Sequence, residues 1–181
     1  MQTRRQVSWF FTPMKRRGVK PRMEGRSSFL KDVLERISLS MAIHPRETCM
    51  RAVARSIFIW ANMAHAVHPN YSEMHDSGHL PMINQGLVIK SNTGQKYATE
   101  RMSSVFFEGL CERAGVPVQK FVVRSDRMCG STIGPIIAAN LDIRTVDVGC
   151  PMFFMHSVRE MAGTRNHENI IKVFKEFFKP G

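Results

Sequence analysis

The sequence predicts an α/β fold, a three-layer sandwich in which helices cover both faces of a mostly parallel sheet. Short apolar, β-branched runs alternate along the chain with longer segments whose apolar residues recur at helical spacing. Such alternation is typical of sheets built from strand–helix–strand units. The chain has 181 residues, of which 43% are hydrophobic, so one domain with a substantial core is expected and global disorder is excluded.

The start of the chain differs in composition from the rest. We predict a basic, disordered arm at residues 1–26 and a folded domain at residues 27–181. Prolines and glycines interrupt every periodic pattern in the arm, and no acidic residue precedes Glu24. The arm supplies much of the net charge of +11. A basic segment of this kind can bind anionic surfaces or nucleic acid. Such binding is the weakest of the functional alternatives, and nucleic acid is not the expected main partner.

The order of the elements follows from apolar periodicity and turn residues. Ser28 can begin a helix whose apolar positions start at Phe29, and Pro45 marks its end. A buried strand is predicted at residues 56–60, before a polar loop at residues 62–70. The later predicted elements are strands at residues 87–90, 121–123 and 144–149 and helices at residues 99–114, 131–141, 157–162 and 166–178, with Gly115 capping the first of these helices.

The loop at residues 62–70 concentrates side chains that suit chemistry. Its carboxamides and imidazoles are Asn62, His65, His68 and Asn70, and His75 and His79 follow closely. A polar loop at the carboxyl end of a buried strand is where open α/β sheets bind ligands. A hydrogen-bonded turn around Pro69 would explain the same residues. No zinc-finger spacing is present, so a ligand site and a structural turn both stay open as interpretations.

Other positions can carry chemistry, and each has a simpler structural interpretation. His156 follows a predicted strand, where an imidazole can bind zinc or serve only as a structural hydrogen-bonding group. Lys90 and Tyr97 can hold an anion and a developing oxyanion, or be a solvated lysine and a half-buried tyrosine. Residues 129–134 (CGSTIG) resemble a nucleophile turn before a helix, but tight strand–helix packing with a Ser or Thr cap is favoured over cysteine catalysis.

Cysteine usage and hydropathy bound the location of the protein. The four cysteines are widely spaced and form no CxxC pair, which indicates reduced thiols and a cytoplasmic location. No apolar run approaches the ~20 residues that span a bilayer. The first 20 residues lack the apolar core of a secretory signal, so no membrane association is expected.

Seven short segments, taken in order, resemble the aspartyl aminopeptidase family of cocatalytic zinc metallopeptidases. They are residues 63–71 (MAHAVHPNY), 88–90 (VIK), 95–98 (QKYA), 122–124 (VVR), 129–135 (CGSTIGP), 144–149 (RTVDVG) and 155–161 (MHSVREM). The resemblance extends over residues 27–178 and corresponds only to the carboxyl-terminal part of the family's longer catalytic chain. It implies a partial zinc-peptidase-like catalytic domain.

The resemblance also implies roles for individual residues. His156 and Asn62 stand at metal-ligand positions, and His65, Lys90 and Tyr97 match positions that contact substrate. The family uses two zinc ions to activate water and to bind a free N-terminus. Its substrates are peptides that begin with Asp or Glu, and its chains form homo-oligomers.

Two departures from the family pattern lead us to expect an inactive isolated chain. Asn62 stands where the family has a zinc-binding aspartate, and a neutral carboxamide is a weaker ligand. The family's other metal ligands and its glutamate pair match no residue here, and its dimerisation domain is missing. We therefore predict a truncated zinc aspartyl aminopeptidase domain that hydrolyses peptides only if another chain completes the site. The alternative is a non-catalytic module that associates with full-length family members.

Overall fold

The computed structural model describes residues 28–127, 130 and 132–179, so the predicted arm and Cys129 lie outside the described residues. One five-stranded sheet organises this part of the chain. The strands are β1 (Ile57–His65), β2 (Leu87–Ser91), β3 (Val118–Val122), β4 (Arg144–Phe153) and β5 (Met161–Ala162). The α-helices are α1 (Phe29–Met41), α2 (Pro45–Ala54), α3 (Arg101–Arg113), α4 (Gly134–Leu141) and α5 (Thr164–Phe177), and a 3-10 helix spans Pro69–Met74.

The sheet consists of two parallel ladders joined at its centre. Its order is β1-β4-β2-β3, with β5 paired to β4 beside this path. β1 runs parallel to β4 along its whole length, and β2 runs parallel to β3. β2 and β4 meet antiparallel through the pairs Val88–Gly149 and Ile89–Val148. Because most paired residues belong to the parallel ladders, the predicted mostly parallel sheet is confirmed.

Side chains of β4 that point to opposite faces of the sheet contact different helices. Val146 and Val148 belong to an apolar cluster that also contains Phe107 of α3 and Val173 of α5. Asp147 lies between these valines and therefore points to the other face. There it lies against Gly134, the first residue of α4. The sheet is thus covered by α3 and α5 on one side and by α4 on the other, as the sandwich prediction requires.

The predicted glycine cap of α3 is present. Gly115 has a φ of +65°, the left-handed conformation that glycine adopts without steric cost. The Val116 N–H donates to the Cys111 carbonyl at 2.9 Å, and the Gly115 N–H donates to the Glu112 carbonyl at 3.0 Å. These two bonds form a Schellman motif, which satisfies carbonyls at the helix end.

Two strands extend well beyond their predicted carboxyl ends, and β3 begins at Val118 and not at residue 121. The strand predicted at residues 56–60 continues to His65, so residues 62–65 are strand and not loop. Each residue from Asn62 to His65 is paired with one from Gly149 to Met152, which extends β4 beyond its predicted end as well. The polar residues in this stretch weaken its apolar pattern, but the parallel partner supplies the hydrogen bonds that hold it extended.

Two helix predictions were wrong. The helix predicted at residues 157–162 is absent from this described stretch, where Met161 and Ala162 instead pair antiparallel with β4. Phe154 and His156, with φ of 57° and 69°, reverse the chain just before it. α2 was not predicted because Pro45 was interpreted as a helix end. Proline also fits the first position of a helix, where its missing N–H costs nothing, and Pro45 occupies that position in α2.

None of the helices in the described part of the chain is long and apolar enough to span a bilayer.

Candidate functional site

Lys90 is a buried lysine at the centre of the candidate site. Only 3% of the residue is exposed, although it carries a charged amine. Its Nζ donates a hydrogen bond to the Asn62 Oδ1 and another, of 3.2 Å, to the Met63 carbonyl. The same Nζ lies 5.4 Å from the centre of the Tyr97 ring, within the range of a cation–π interaction. Three residues singled out in the sequence, Asn62, Lys90 and Tyr97, therefore converge.

Close packing of β1 against β4 brings Asn62 to this position. Asn62 is in register with Gly149. A Cβ at Gly149 would lie 2.8 Å from the Met63 carbonyl carbon and 2.9 Å from the backbone carbonyl oxygen of Asn62, closer than real Cβ atoms approach. Glycine at this position therefore lets the two strands approach where the carbonyl of Met63 and the side chain of Asn62 face Lys90.

A buried carboxylate holds the loop that carries Tyr97. Asp147 is fully buried, and its Oδ2 accepts the Ala98 N–H at 2.7 Å. Its Oδ1 accepts the Thr132 hydroxyl at 2.9 Å, and its own N–H donates to the Thr99 Oγ1 at 2.9 Å. These bonds fix the backbone on the carboxyl side of Tyr97, whose ring lies edge-on to Phe121 with centroids 6.3 Å apart.

Burial raises the pKa of the Asp147 carboxyl above its ordinary value. The Ala98 N–H, the charge of Lys90 and the Thr132 hydroxyl favour the ionised form and oppose this shift. Lys90 is thus electrostatically coupled to a carboxylate of the neighbouring strand.

Two further imidazoles lie within electrostatic reach of His65. Desolvation lowers the pKa of His65. The nearby charges that lower it further come from His75, His156 and Lys90. Burial lowers the pKa of His75 as well, and its ring lies edge-on to Phe121 with centroids 5.9 Å apart. The lowered pKa values indicate a region where further positive charge is disfavoured.

His156 lies on the exposed turn between β4 and β5. Its backbone has a φ of 69°, a conformation that residues other than glycine adopt rarely. Its N–H donates to the Glu160 carboxylate at 2.7 Å, which closes the turn. The turn leaves the His156 ring at the surface, close enough to His65 to influence its pKa.

The other histidines of the predicted loop have structural partners elsewhere. The Nδ1 of His68 accepts the Asn70 N–H at 3.2 Å. The ring of His68 contacts those of Tyr71, Phe153 and Phe154, with centroids 5.4 to 5.5 Å apart. His79 is paired with Asp76 at 2.7 Å. The turn interpretation therefore describes His68 and Asn70, whereas Asn62 and His65 face the candidate site.

The described residues do not fit a zinc ion on their own. Among them, no group of three or more His, Cys, Asp and Glu side chains is arranged to hold a metal. Zinc sites in proteins normally have at least three protein ligands. Asn62 offers only a neutral oxygen, and that oxygen accepts a hydrogen bond from the Lys90 ammonium. The donor set at this sheet edge thus differs from that of a zinc centre.

Asp147 is the site-supporting residue that the sequence interpretation missed. Its strand was predicted, but no role was assigned to it. The available signal was a single acidic residue between Val146 and Val148 in an apolar run. A carboxylate at such a position must be buried and therefore needs hydrogen-bond donors.

The site lies at one edge of an α/β sheet and joins a buried lysine, a tyrosine and a histidine. The sequence profile of the family described as Aminopeptidase I zinc metalloprotease (M18) matches residues 18–178. The chain therefore belongs to the M18 family of zinc metallopeptidases. The match begins at residue 18, so residues 18–26 of the predicted arm fall inside it.

Curated relatives agree with this assignment. The chain is 47% identical over 150 residues to a probable M18 family aminopeptidase 2 of Ectopseudomonas mendocina, covering 83% of this chain and 34% of the relative. It is 49% identical over 150 residues to the protein of the same description in Stutzerimonas stutzeri, with the same coverage. The chain thus spans about a third of the length of these relatives.

Solved structures share the fold. A chain in the cryo-EM structure of the Ape4 and Nbr1 complex has a TM-score of 0.83 and 40% identity, covering 89% of this chain and 30% of that one. The S. cerevisiae mApe1 dodecamer has a TM-score of 0.77 and 29% identity, covering 88% of this chain and 34% of that one. An M18 aminopeptidase from Thermotoga maritima, 18% identical with a TM-score of 0.76, shows the fold alone, over 88% of this chain and 37% of that one.

Proposed function

We propose that this chain forms the acidic-substrate side of a zinc aminopeptidase that removes Asp or Glu from the N-termini of peptides. The observation that carries the proposal is the buried Lys90 ammonium, which is held between Asn62, the Met63 carbonyl and the Tyr97 ring. Membership of the M18 family supplies the reaction class.

The chemistry of the pocket supports an anionic substrate side chain. A buried cation attracts a carboxylate more strongly than a solvated one because the surrounding dielectric constant is lower. His65 lies beside Lys90 and adds an imidazole that can donate a hydrogen bond. In this proposal His65 and Lys90 bind the substrate carboxylate, and Tyr97 orients the substrate next to them.

The metal side of the proposal depends on residues outside this set. His156 and Asn62 stand at the family's ligand positions, and two zinc ions complete the proposed active enzyme. Because the described residues do not fit zinc alone, we propose that hydrolysis requires another chain to supply the remaining ligands. Cys49, Cys111 and Cys150 are free thiols, and with them we propose a cytoplasmic location.

Turnover assays test the proposal that hydrolysis requires another chain. The purified chain, supplied with zinc, is expected not to release the chromophore from either an aspartyl or a leucyl chromogenic amide. Zinc-dependent turnover that disappears in His156→Ala would show that the chain is active by itself.

A chimera tests the substrate preference. It joins residues 28–181 to the preceding part of the Ectopseudomonas mendocina relative, so that the family's other residues are supplied. Lys90→Met is expected to reduce kcat/KM for the aspartyl amide far more than for the leucyl amide. Lys120→Met, an exposed lysine of β3, serves as the matched control. An equal loss on both amides would contradict the role of Lys90 in specificity.

A second candidate function is association with another chain of the M18 family. The observation that favours it is the group of exposed apolar side chains on α1, on α2 and between them, which are Phe29, Ile37, Leu39, Met41, Ile43 and Met50. Exposed apolar surfaces of this kind mark sites where a partner binds. A related solved structure is a dodecamer, so the proposed occupant is a further M18 chain, either a copy of this one or a full-length relative. Sedimentation of the chain alone and mixed with the relative tests this candidate.

A further inference from the structure

The chain between β1 and β2 forms a closed loop beside the candidate site. The Val67 N–H donates to the Pro81 carbonyl at 2.8 Å, so the chain leaves the sheet and returns to it at one point. Just beyond that point Gln119 of β3 accepts the Met82 N–H at 2.8 Å and donates to the Met82 carbonyl at 3.0 Å. Residues 67–81 thus form an Ω-loop, a class of compact surface loop that frequently carries function.

The Arg124 guanidinium ties the far side of the Ω-loop to the sheet. Arg124 lies two residues beyond the end of β3, and its Nη1 donates to the Glu73 carbonyl at 2.6 Å. Its Nε and Nη2 donate to the two carboxylate oxygens of Asp126 at 2.9 and 2.7 Å. A bidentate pair of this kind fixes the plane of the guanidinium, so the remaining donor stays directed at Glu73.

This contact lies two residues before His75, whose ring reaches the candidate site. Both nitrogens of the His75 ring are buried, and the ring lies edge-on to Phe121. Phe121 is in register with Lys90, and its ring also contacts Tyr97. In the closed Ω-loop, His75 therefore packs on the same aromatic ring that contacts Tyr97.

Few other contacts hold the second half of the Ω-loop in place. The 3-10 helix within it contains no buried residue, and Tyr71 and Met74 are 60% and 48% exposed. The first half is held separately, because the His68 ring packs on Phe153 and Phe154 at the end of β4. A segment that buries little apolar surface opens locally at low cost, so one charge-assisted hydrogen bond has a large influence on it.

We propose that Arg124 is a positioning residue that keeps the Ω-loop closed beside the candidate site and holds His75 against Phe121. Without the bond to Glu73, the second half of the loop moves away from β3 and uncovers the ring nitrogens of His75. The inference goes beyond the proposed function, because it concerns how the site opens and depends on neither the substrate nor a metal.

Chemical modification of the full 181-residue chain measures this opening. Diethyl pyrocarbonate acylates accessible neutral imidazoles, and mass spectrometry gives the rate for His75 relative to the exposed His44. N-ethylmaleimide alkylation of Cys111, which is completely buried, reports opening of the sheet. Arg124→Met is expected to raise the relative His75 rate about tenfold, the size of one charge-assisted hydrogen bond, and to leave Cys111 alkylation unchanged.

Three further variants define the role of the guanidinium. Arg124→Lys keeps the charge but not the planar fork, so its His75 rate should lie between those of the wild type and Arg124→Met. Asp126→Asn leaves the guanidinium without its bidentate partner and should raise the rate about threefold. Arg113→Met removes an exposed arginine that is paired with Glu176 on α5, and this matched control should react like the wild type.

The reaction rates decide between positioning and general stabilisation. A rise in the His75 rate that is confined to the Arg124 and Asp126 variants, with Cys111 still protected, supports the inference. An unchanged His75 rate in Arg124→Met overturns it. Equal acceleration of His75 and Cys111 in that variant also overturns it, because loss of global stability then accounts for both. An equal rise in Arg113→Met has the same consequence.

Discussion

The helical pair α1–α2 and the sheet with its covering helices differ in how far their apolar side chains are buried. In the described part of the chain, neither α1 nor α2 contains a buried residue. Ile43, between them, is 93% exposed. In the sheet, by contrast, Leu87 of β2 and Phe107 of α3 are completely buried within one apolar cluster.

This difference indicates which region is stable by itself. The sheet obtains its stability from burial of apolar side chains within the chain, which is the dominant favourable contribution to folding. The pair α1–α2 packs mainly on itself and leaves apolar positions such as Leu39 and Met41 at the surface. We therefore expect substitutions in the sheet to change stability and substitutions in α1–α2 to change association.

The largest expected effect is the loss of a core aromatic ring. Phe107→Ala leaves a cavity beneath the sheet and should lower the free energy of unfolding by about 3–5 kcal/mol. Leu39→Ala, a comparable truncation in α1, should change it by less than about 0.5 kcal/mol. Urea unfolding followed by circular dichroism measures both. Equal losses in the two variants would show that α1 belongs to the same cooperative core.

The contrast between the two regions also decides what the sequence could predict. Ile59, Leu87 and Val146 belong to one buried apolar cluster, and the short apolar runs around them predicted the strands. The segment from Asn62 to His65 is held as a strand by pairing with β4, a contact between residues far apart in the chain that local pattern does not reveal. The turn at Phe154–His156 depends on left-handed backbone conformations, which the sequence pattern did not reveal, and the helix predicted after it is absent.

The candidate site was predictable in composition but not in geometry. Asn62, His65, Lys90, Tyr97 and His156 were all singled out, largely through resemblance to a family. Their roles remain predictions. The hydrogen bond between Lys90 and Asn62 joins residues on β1 and β2, which are separated by β4 in the sheet order, so no local motif could indicate it. Asp147 supports Tyr97 through backbone contacts, which sequence spacing does not encode.

A smaller effect is expected at Asp147, and it should depend on pH. Asp147→Asn cannot accept hydrogen bonds from both Ala98 and Thr132 with two oxygens, so it should cost about 1–3 kcal/mol when the wild-type carboxyl is protonated. The pKa of Asp147 is raised in the folded state above its ordinary value of 3.8. A raised pKa contributes stability that is present below the ordinary value and is lost as pH rises through the folded-state pKa. The deficit of the variant should therefore shrink between pH 4 and pH 7.

Thermal unfolding of both proteins at the two pH values measures this change. Other carboxyl groups titrate equally in the two proteins, so their effects cancel in the difference. A deficit that grows towards pH 7 would mean that the hydrogen bonds to Asp147 outweigh its burial and lower its pKa in the folded state.

In α1–α2 the expected effect is on association and not on stability. Ile43 lies beside Pro45, Met50 and Ala54 around a shallow apolar depression. Ile43→Asp places a charge there, and burial of an unpaired charge in an interface is strongly unfavourable. Sedimentation velocity should show loss of self-association, or of binding to a full-length relative, while the unfolding midpoint stays within about 1 °C because the surface position contributes little to stability. Ser40→Asp, also exposed but polar, is the matched control. Unchanged association in Ile43→Asp would contradict the assignment of the interface to α1–α2.

The smallest effect on the folded domain is expected from deletion of residues 1–26, the segment that the sequence predicts to be a basic arm. Apolar residues do not recur periodically in it, so its removal should leave the unfolding midpoint of the sheet unchanged. Its basic residues can neutralise phosphates, and such binding weakens steeply as salt rises because counterions are released. The full chain is therefore expected to bind a dye-labelled single-stranded oligonucleotide only weakly and only at low salt, and the shortened chain not to bind it. Self-association should persist after the deletion, since it is assigned to α1–α2. Loss of association in a shortened chain that still unfolds like the full one would instead identify the basic segment, and not α1–α2, as the interaction element.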